Sequence, residues 1–233
     1  GEVAGRAGSL VFNNAITPVE PPTEGELVAR GRRRLLFYAR PEAHAARNMY
    51  ELGVMALAEA ARRGAFSRGD WELNGIGSVQ VERVLELAGG VELRVGLRTT
   101  QQHYAELLRS HDVGLALMYT PHPSLVPIEM AAAGMVVVTN TFATKTADRM
   151  RAISPNIHAV PPDPKDLAEA IEFAVRRASD ASARVAGAHS VAWPRRREEA
   201  FHDELVARIE HLLGLGDTAG NLGSAAGPMR VST

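Results

Sequence analysis

The 233-residue chain has no cysteine, few aromatic side chains (5%) and no surplus of either charge, with 26 basic residues against 27 carboxylates. Without cysteine there is neither a disulfide framework nor a thiolate metal site, a usage that fits the cytoplasm. A balance this close to neutral argues against a dedicated nucleic-acid binder, whose phosphate contacts need a basic excess. No apolar run approaches the roughly 20 residues that cross a bilayer, and the amino terminus lacks the charged and then apolar pattern of a signal segment. No Gly-x-Gly-x-x-Gly follows a strand, no Walker loop occurs, and the eight histidines are scattered. Dehydrogenase, nucleotidase and zinc-site readings therefore have no residues behind them, and neither a metal nor a cofactor is expected. Gly1 stands where an initiator methionine would, as in a trimmed chain.

What is present is an apolar content of 45%, enough for one full core with tails. Residues 1–33 read as a linker or inter-domain segment, rich in Gly and Pro, with one apolar patch at Leu10-Val11-Phe12. Residues 34–192 carry the core pattern, 193–213 a terminal helix with Phe201, Leu205, Ile209, Leu212 and Leu213 on one stripe, and 214–233 a flexible Gly/Ala/Ser-rich tail. Short apolar runs at 35–39, 71–76, 91–95, 113–118, 135–139 and 156–160 read as strands. Between them, helical patterns fall at 48–63, 79–87, 101–110 and 143–152. Thr99 with Gln102 forms a capping box, and Asp163-Pro164 opens a further helix by N-cap and first-turn proline together. Strands alternating with helices predict an α/β fold, a doubly wound parallel sheet with helices on both faces.

The chain is organised around Pro121-His122-Pro123-Ser124-Leu125-Val126-Pro127-Ile128-Glu129-Met130-Ala131-Ala132-Ala133-Gly134 and the run Met135 to Val138. Strand, polar turn, short helix, glycine stop and second strand make half of such a sheet, whose ligands lie outside the carboxyl ends of the strands. The amides of Ser124, Leu125 and Val126 at the helix start suit an anion, and the serine is expected to cap the helix. Glu129, one turn further on, can accept hydrogen bonds from ribose hydroxyls, although spacing alone favours a capping or surface glutamate. Arg40 at the end of the first strand and Arg47 at the next helix start could clamp a diphosphate, or could be a surface ion pair and a solvated residue. His122 is the titratable group of the loop, either a sugar contact or a surface residue. Arg195-Arg196-Arg197, with Glu198 and Glu199 following, reads as a solvated face.

The segment Ser124 to Val137 resembles the donor-nucleotide segment of GT-B glycosyltransferases of the family 4 type. That family carries two glutamates eight positions apart; Glu129 matches the second, and Pro121 stands at the first. Pro-His-Pro-Ser before the glutamate, with Tyr38-Ala39-Arg40-Pro41 upstream, looks like bacterial rhamnosyltransferases of cell-surface glycan assembly. The patch 11–16 resembles the connection between the two GT-B domains, and the likeness in element order runs from Leu35 to Ala178. It implies a Rossmann-like half of a GT-B fold that binds a nucleotide-diphosphate sugar such as dTDP-rhamnose. Arg40, Arg47 and the amides of Ser124, Leu125 and Val126 would hold the diphosphate, Glu129 the ribose, His122 the sugar, and Gly96 and Leu97 the base. The glycan acceptor would lie in a missing amino-terminal domain, the isolated fragment would not turn over, and no catalytic base is identified. The implied location is cytoplasmic, at most peripheral at the inner face of the membrane. The alternative is a non-catalytic doubly wound module for an anionic ligand or a protein partner.

Overall fold

The computed structural model describes residues 12–66, 69–77, 82–97 and 99–213. Leu10, Val11, residues 79–81 of the expected second helix and the tail 214–233 lie outside them. The chain divides into two compact units: Ile16–Trp193, and the terminal segments before Ile16 and after Trp193.

In chain order the larger unit contains α1 (Glu24–Val28), β1 (Arg33–Tyr38), a 3-10 turn (Ala43–Asn48), α2 (Tyr50–Arg62), β2 (Trp71–Ile76), β3 (Arg83–Glu86), β4 (Glu92–Gly96) and α3 (Gln101–Arg109). It continues with β5 (Val113–Leu115), α4 (Leu125–Ala132), β6 (Val136–Asn140), α5 (Ala147–Ile153), β7 (Ile157–Val160), α6 (Pro164–Arg177) and α7 (Ala181–His189). The sheet order is β3-β4-β2-β1-β5-β6-β7. All pairings are parallel except β3 on β4. Leaving β3 aside, the parallel strands run third, second, first, fourth, fifth, sixth. The chain thus reverses direction between β1 and β5, the switch point where a doubly wound sheet opens a crevice.

Alternating side chains of β1 build both cores. Leu35 and Phe37 pack with Ala56, Leu57 and Ala60 of α2 and Leu167, Ile171 and Ala174 of α6. Leu36 faces the other way, into Ile128 and Met130 of α4 and Met150 and Ile153 of α5. Two glycines set the helix spacing. A Cβ at Gly53 would lie 2.3 Å from the Phe37 ring, and one at Gly114 2.6 Å from Met130 Sδ. Gly134 ends α4 at φ +80, with Met135 N–H donating to Met130 O at 3.1 Å, the glycine stop expected there.

Several elements differ from the sequence reading. The helix at 79–87 is replaced by β3, whose Arg83 to Glu86 pair with Val95 to Glu92. Charged ends and one exposed face suit an edge strand, and pairing with β4 outweighs a helical pattern that short. The expected strand at 113–118 ends as β5 at Leu115, because Met118 is bonded to the Asn140 side chain instead of a strand. Thr100, not Thr99, caps α3, accepting from His103 N; the Gln102 side chain is outside the described part. The segment read as linker contains α1, closed by a Thr23/Glu26 capping box, and Ile16, Val19 and Leu27 are buried.

In the smaller unit the single long helix expected at 195–213 is two, α8 (Arg197–Ala200) and α9 (Asp203–Leu212). Phe201 leaves helical geometry at φ -122, ψ 63, and the His202 side chain caps α9 by accepting from Leu205 N–H. Leu205 is buried, Leu212 and Leu213 are exposed, and the Phe12 and Phe201 rings meet at 4.8 Å.

Candidate functional site

The crevice at the switch point is walled by the loops leaving β1 and β5, and hydrogen bonds join them. Tyr119 N–H donates to Arg47 O at 2.7 Å, closing the β5 loop onto the 3-10 turn that follows β1. On the other flank the Asn140 side chain pairs with both Met118 N–H and Met118 O, at 2.8 and 3.1 Å. Thr144 Oγ1 donates to Pro121 O at 3.2 Å, and the Tyr119 and Phe142 rings lie 4.2 Å apart. Among the described residues, non-glycine residues with positive φ are Met49, Ser124 and Ala143. One follows β1, one β5 and one β6, so backbone strain gathers at the carboxyl edge, as it does at ligand sites.

At the start of α4 the backbone presents donors. Leu125 and Val126 are half-buried, their N–H groups have no partner within a helix, and no side chain caps them. Pro127 carries no N–H. The Ser124 N–H donates to His122 Nδ1 at 3.0 Å, which holds that amide in a tight turn. His122 itself is exposed, its ring edge-on to Trp193 at 6.2 Å.

From Pro127 to Ala132 every residue of α4 is buried, and Glu129 is the one charge among them, 6% exposed. A carboxylate there must be hydrogen-bonded to be tolerated. Its Oε1 accepts Thr17 N–H at 2.9 Å and its Oε2 accepts Tyr104 O–H at 2.9 Å. Burial, with Glu129 beside it, pushes the Tyr104 phenol up, so it remains a donor throughout the working range of pH. Each carboxylate oxygen keeps a second acceptor direction for a ligand.

Arg40 is partly buried; its Nε donates to Glu42 Oε2 and its Nη1 to the Tyr38 phenol oxygen Oη, both at 3.2 Å. Burial works against its charge, but Tyr38 and Glu42 outweigh this and raise the pKa. Arg47 is exposed and lies in the 3-10 turn, not at the start of α2 as the sequence reading had it. Gly96 and Leu97, at the end of β4, form the rim of a cavity of about 810 Å³ shared with Ile76, Thr99 and His103. Among the described residues no group of three or more His, Cys, Asp or Glu could hold a metal.

A profile described as WsaF, C-terminal domain, matches residues 33–172, more than half of the chain. The chain belongs to the WsaF C-terminal domain family. Among curated proteins this WsaF-type domain is 34% identical over 135 residues to O-antigen biosynthesis protein RfbC of Myxococcus xanthus, covering 54% of the chain and 9% of that protein. Its fold is similar to sucrose-phosphate synthase from Thermosynechococcus elongatus (TM-score 0.55, 18% identity, 90% of this chain and 52% of that one). It is likewise similar to WaaG, a glycosyltransferase involved in lipopolysaccharide biosynthesis (TM-score 0.51, 16% identity, 91% and 56%). The domain therefore spans about half the length of the solved structures it resembles and less than a tenth of the curated relative. Its seven-stranded, mostly parallel sheet has the Rossmann-like α/β fold of about half of each of those two structures. No described helix is long and apolar enough to cross a membrane.

Arg40 and Arg47 follow β1 and the start of α4 follows β5, the two strands that flank the switch point, whereas Gly96 and Leu97 end β4, two strands from β1 across β2. The sequence reading missed Tyr104, Thr17, Asn140 and Lys145. It also expected Ser124 to cap α4, which does not occur: Ser124 makes no side-chain cap bond and has φ 70, ψ 144. That region suits glycine, so the residue is strained by about 1–3 kcal/mol. Ser124→Gly is expected to relieve the strain while adding up to about 1 kcal/mol of unfolded-chain entropy cost. Thermal unfolding should show the variant more stable by about 1 kcal/mol, a rise of roughly 2–4 °C; a lower midpoint would show that the serine is not strained.

Proposed function

We propose that this WsaF-type domain binds the nucleotide-diphosphate sugar of a glycosyltransferase, dTDP-rhamnose being the donor the motifs favour. What supports the reading is that two arginines follow β1 and uncapped helix amides follow β5, the strands that flank the switch point, with the buried carboxylate of Glu129 one turn into α4. Arg40, Arg47 and the Leu125 and Val126 amides meet the diphosphate and neutralise charge on the leaving group, with no metal called for. Glu129 fixes the ribose, Gly96 and Leu97 border the base, and His122 faces the sugar. The glycan acceptor is held by a separate amino-terminal domain, so the 233 residues alone bind donor without hexosyl turnover. A nucleotide-sugar donor fits a cytoplasmic location, at most peripheral at the inner face of the membrane.

Calorimetry with thymidine and uridine diphosphates against the free nucleosides tests this. Arg40→Ala should weaken diphosphate binding tenfold or more, about 1.5–3 kcal/mol for a charge-assisted hydrogen bond, and leave nucleoside binding alone. Equal weakening of both would remove Arg40 from the phosphate site, and no binding of any diphosphate at millimolar ligand would remove the donor site. The Arg40–Glu42 pair and Pro121 at the first glutamate position favour a second reading, a non-catalytic anion-binding module. Sugar transfer by the chain joined to its amino-terminal domain separates the two.

A further inference from the structure

Of the 26 basic residues two are lysines, and the two are placed differently: Lys165 is exposed at the start of α6, whereas Lys145 is fully buried. Lys145 follows β6 in the turn that contains the strained Ala143. Its Nζ donates to Met118 O at 3.0 Å and to Asn140 Oδ1 at 3.3 Å, both neutral oxygens. No carboxylate among the described residues pairs with it, and burial pushes the ammonium down to about 8. An unpaired buried charge lowers stability, so packing gives no reason for it. The oxygens do not require it either, since Asn140 Nδ2 already serves Met118 O and Met118 N–H already serves Asn140 Oδ1.

Its position supplies a reason. The turn carrying Lys145 meets the β5–α4 loop at Met118, Tyr119 and Pro121, the loop that delivers the amides of α4 to the crevice. We propose that Lys145 is a positioning residue of the anion site: its ammonium anchors the Met118 carbonyl beneath the loop and leaves a buried positive charge that a bound diphosphate balances. This rests on the donor-site reading above. The charged and titratable groups on the elements around it are Tyr119 and His122 on the loop, His44 and Arg47 on the adjoining turn, Asp148, Arg149 and Arg151 on α5, and His158 on β7. None is hydrogen-bonded to Nζ.

The test measures thymidine diphosphate and thymidine binding to the full chain and to Lys145→Met, with thermal unfolding of each. The apolar side chain should leave the melting temperature unchanged or higher, weaken the diphosphate tenfold or more and leave thymidine unaffected. A merely structural strut would instead melt earlier with affinity per folded molecule unchanged, and that result overturns the proposal. The pH profile of the wild type needs no variant. A terminal phosphate, whose second pKa is about 6, is fully ionised above about pH 7.5. Diphosphate affinity should therefore fall between about pH 7.5 and 9.5 as Lys145 loses its proton, also in a His122→Gln background, and stay flat in Lys145→Met. A flat wild-type profile overturns the role of Lys145 alone. Failure of the wild type to bind either ligand overturns the donor site itself.

Discussion

Asp112→Ala is expected to cost about 3–5 kcal/mol, the largest single loss of stability in this domain, because it strips the counter-charge from a buried arginine. Asp112 is fully buried before β5, at the edge of the sheet opposite the crevice. It accepts from Arg30 Nη1 at 2.9 Å, Arg33 Nη1 at 3.2 Å, Arg184 Nη1 at 2.9 Å and Arg34 N–H at 2.9 Å. Arg184 on α7 is 1% exposed and also donates to Gly134 O and Ala178 O, while its Nη2 has no partner among the described residues. Without the carboxylate that guanidinium remains buried and uncompensated. Arg184→Met removes the buried charge instead and should cost less. Urea unfolding checks both; an Asp112→Ala loss below about 1 kcal/mol would show the cluster to be solvated.

The same carboxylate governs behaviour in acid. Burial pushes the Asp112 pKa up, but Arg184, the Arg34 N–H and Arg30 outweigh it and hold the group below its ordinary value. A depressed folded-state pKa gives stability that is present above the unfolded value, about 3.9, and lost as pH falls through the folded one. The wild type should therefore lose stability progressively below about pH 4, and Asp112→Ala should lack that component.

Glu129→Ala should have the second largest effect, this time on both stability and binding. It leaves Thr17 N–H and Tyr104 O–H without their acceptor, at about 1–3 kcal/mol for each group that stays unpaired. Glu129→Gln separates the two roles. Its one carbonyl can keep Thr17, while the phenol, donor and acceptor alike, can turn to accept from the new amide. Folding should then suffer by about 1 kcal/mol, and nucleotide affinity per folded molecule should fall by about 1–3 kcal/mol. A ligand without the ribose hydroxyl should bind wild type and Gln variant alike. Unchanged nucleotide affinity would make Glu129 a purely structural residue.

How far the sequence could be read depends on the range of the forces involved. β2 is bounded by glycine and matches to the residue, and α6 begins where Asp163 and Pro164 place it, because these signals act within a few residues. β3 was misread because Val84, Leu85 and Leu87 fit a short helix as well as a strand; only pairing with β4 decides. The capping box of Thr23 and Glu26 was present but obscured by the prolines before it. At the site, Arg40 and the α4 amides were legible since each lies at the end of its own strand or the start of its own helix. The partners of Glu129 were not, Tyr104 being 25 residues away and Thr17 112. Ser124 shows a subtler limit: its side chain suggested a cap, while its backbone angle depends on the loop around it.

The bond between Tyr119 N–H and Arg47 O has a thermodynamic consequence. With the β5 loop also fastened at Met118 and Pro121, the loop backbone is already hydrogen-bonded in the free domain. Ordering a rotamer-rich side chain on binding costs about 0.5–1.5 kcal/mol each, and folding a whole loop costs more. Here the loop is already folded in the free domain and the ordering left to binding is that of exposed side chains such as Arg47, so association should resemble a key entering a cut lock. Its heat-capacity change should be small and governed by the ligand's own apolar area, with none of the large negative value that accompanies coupled folding.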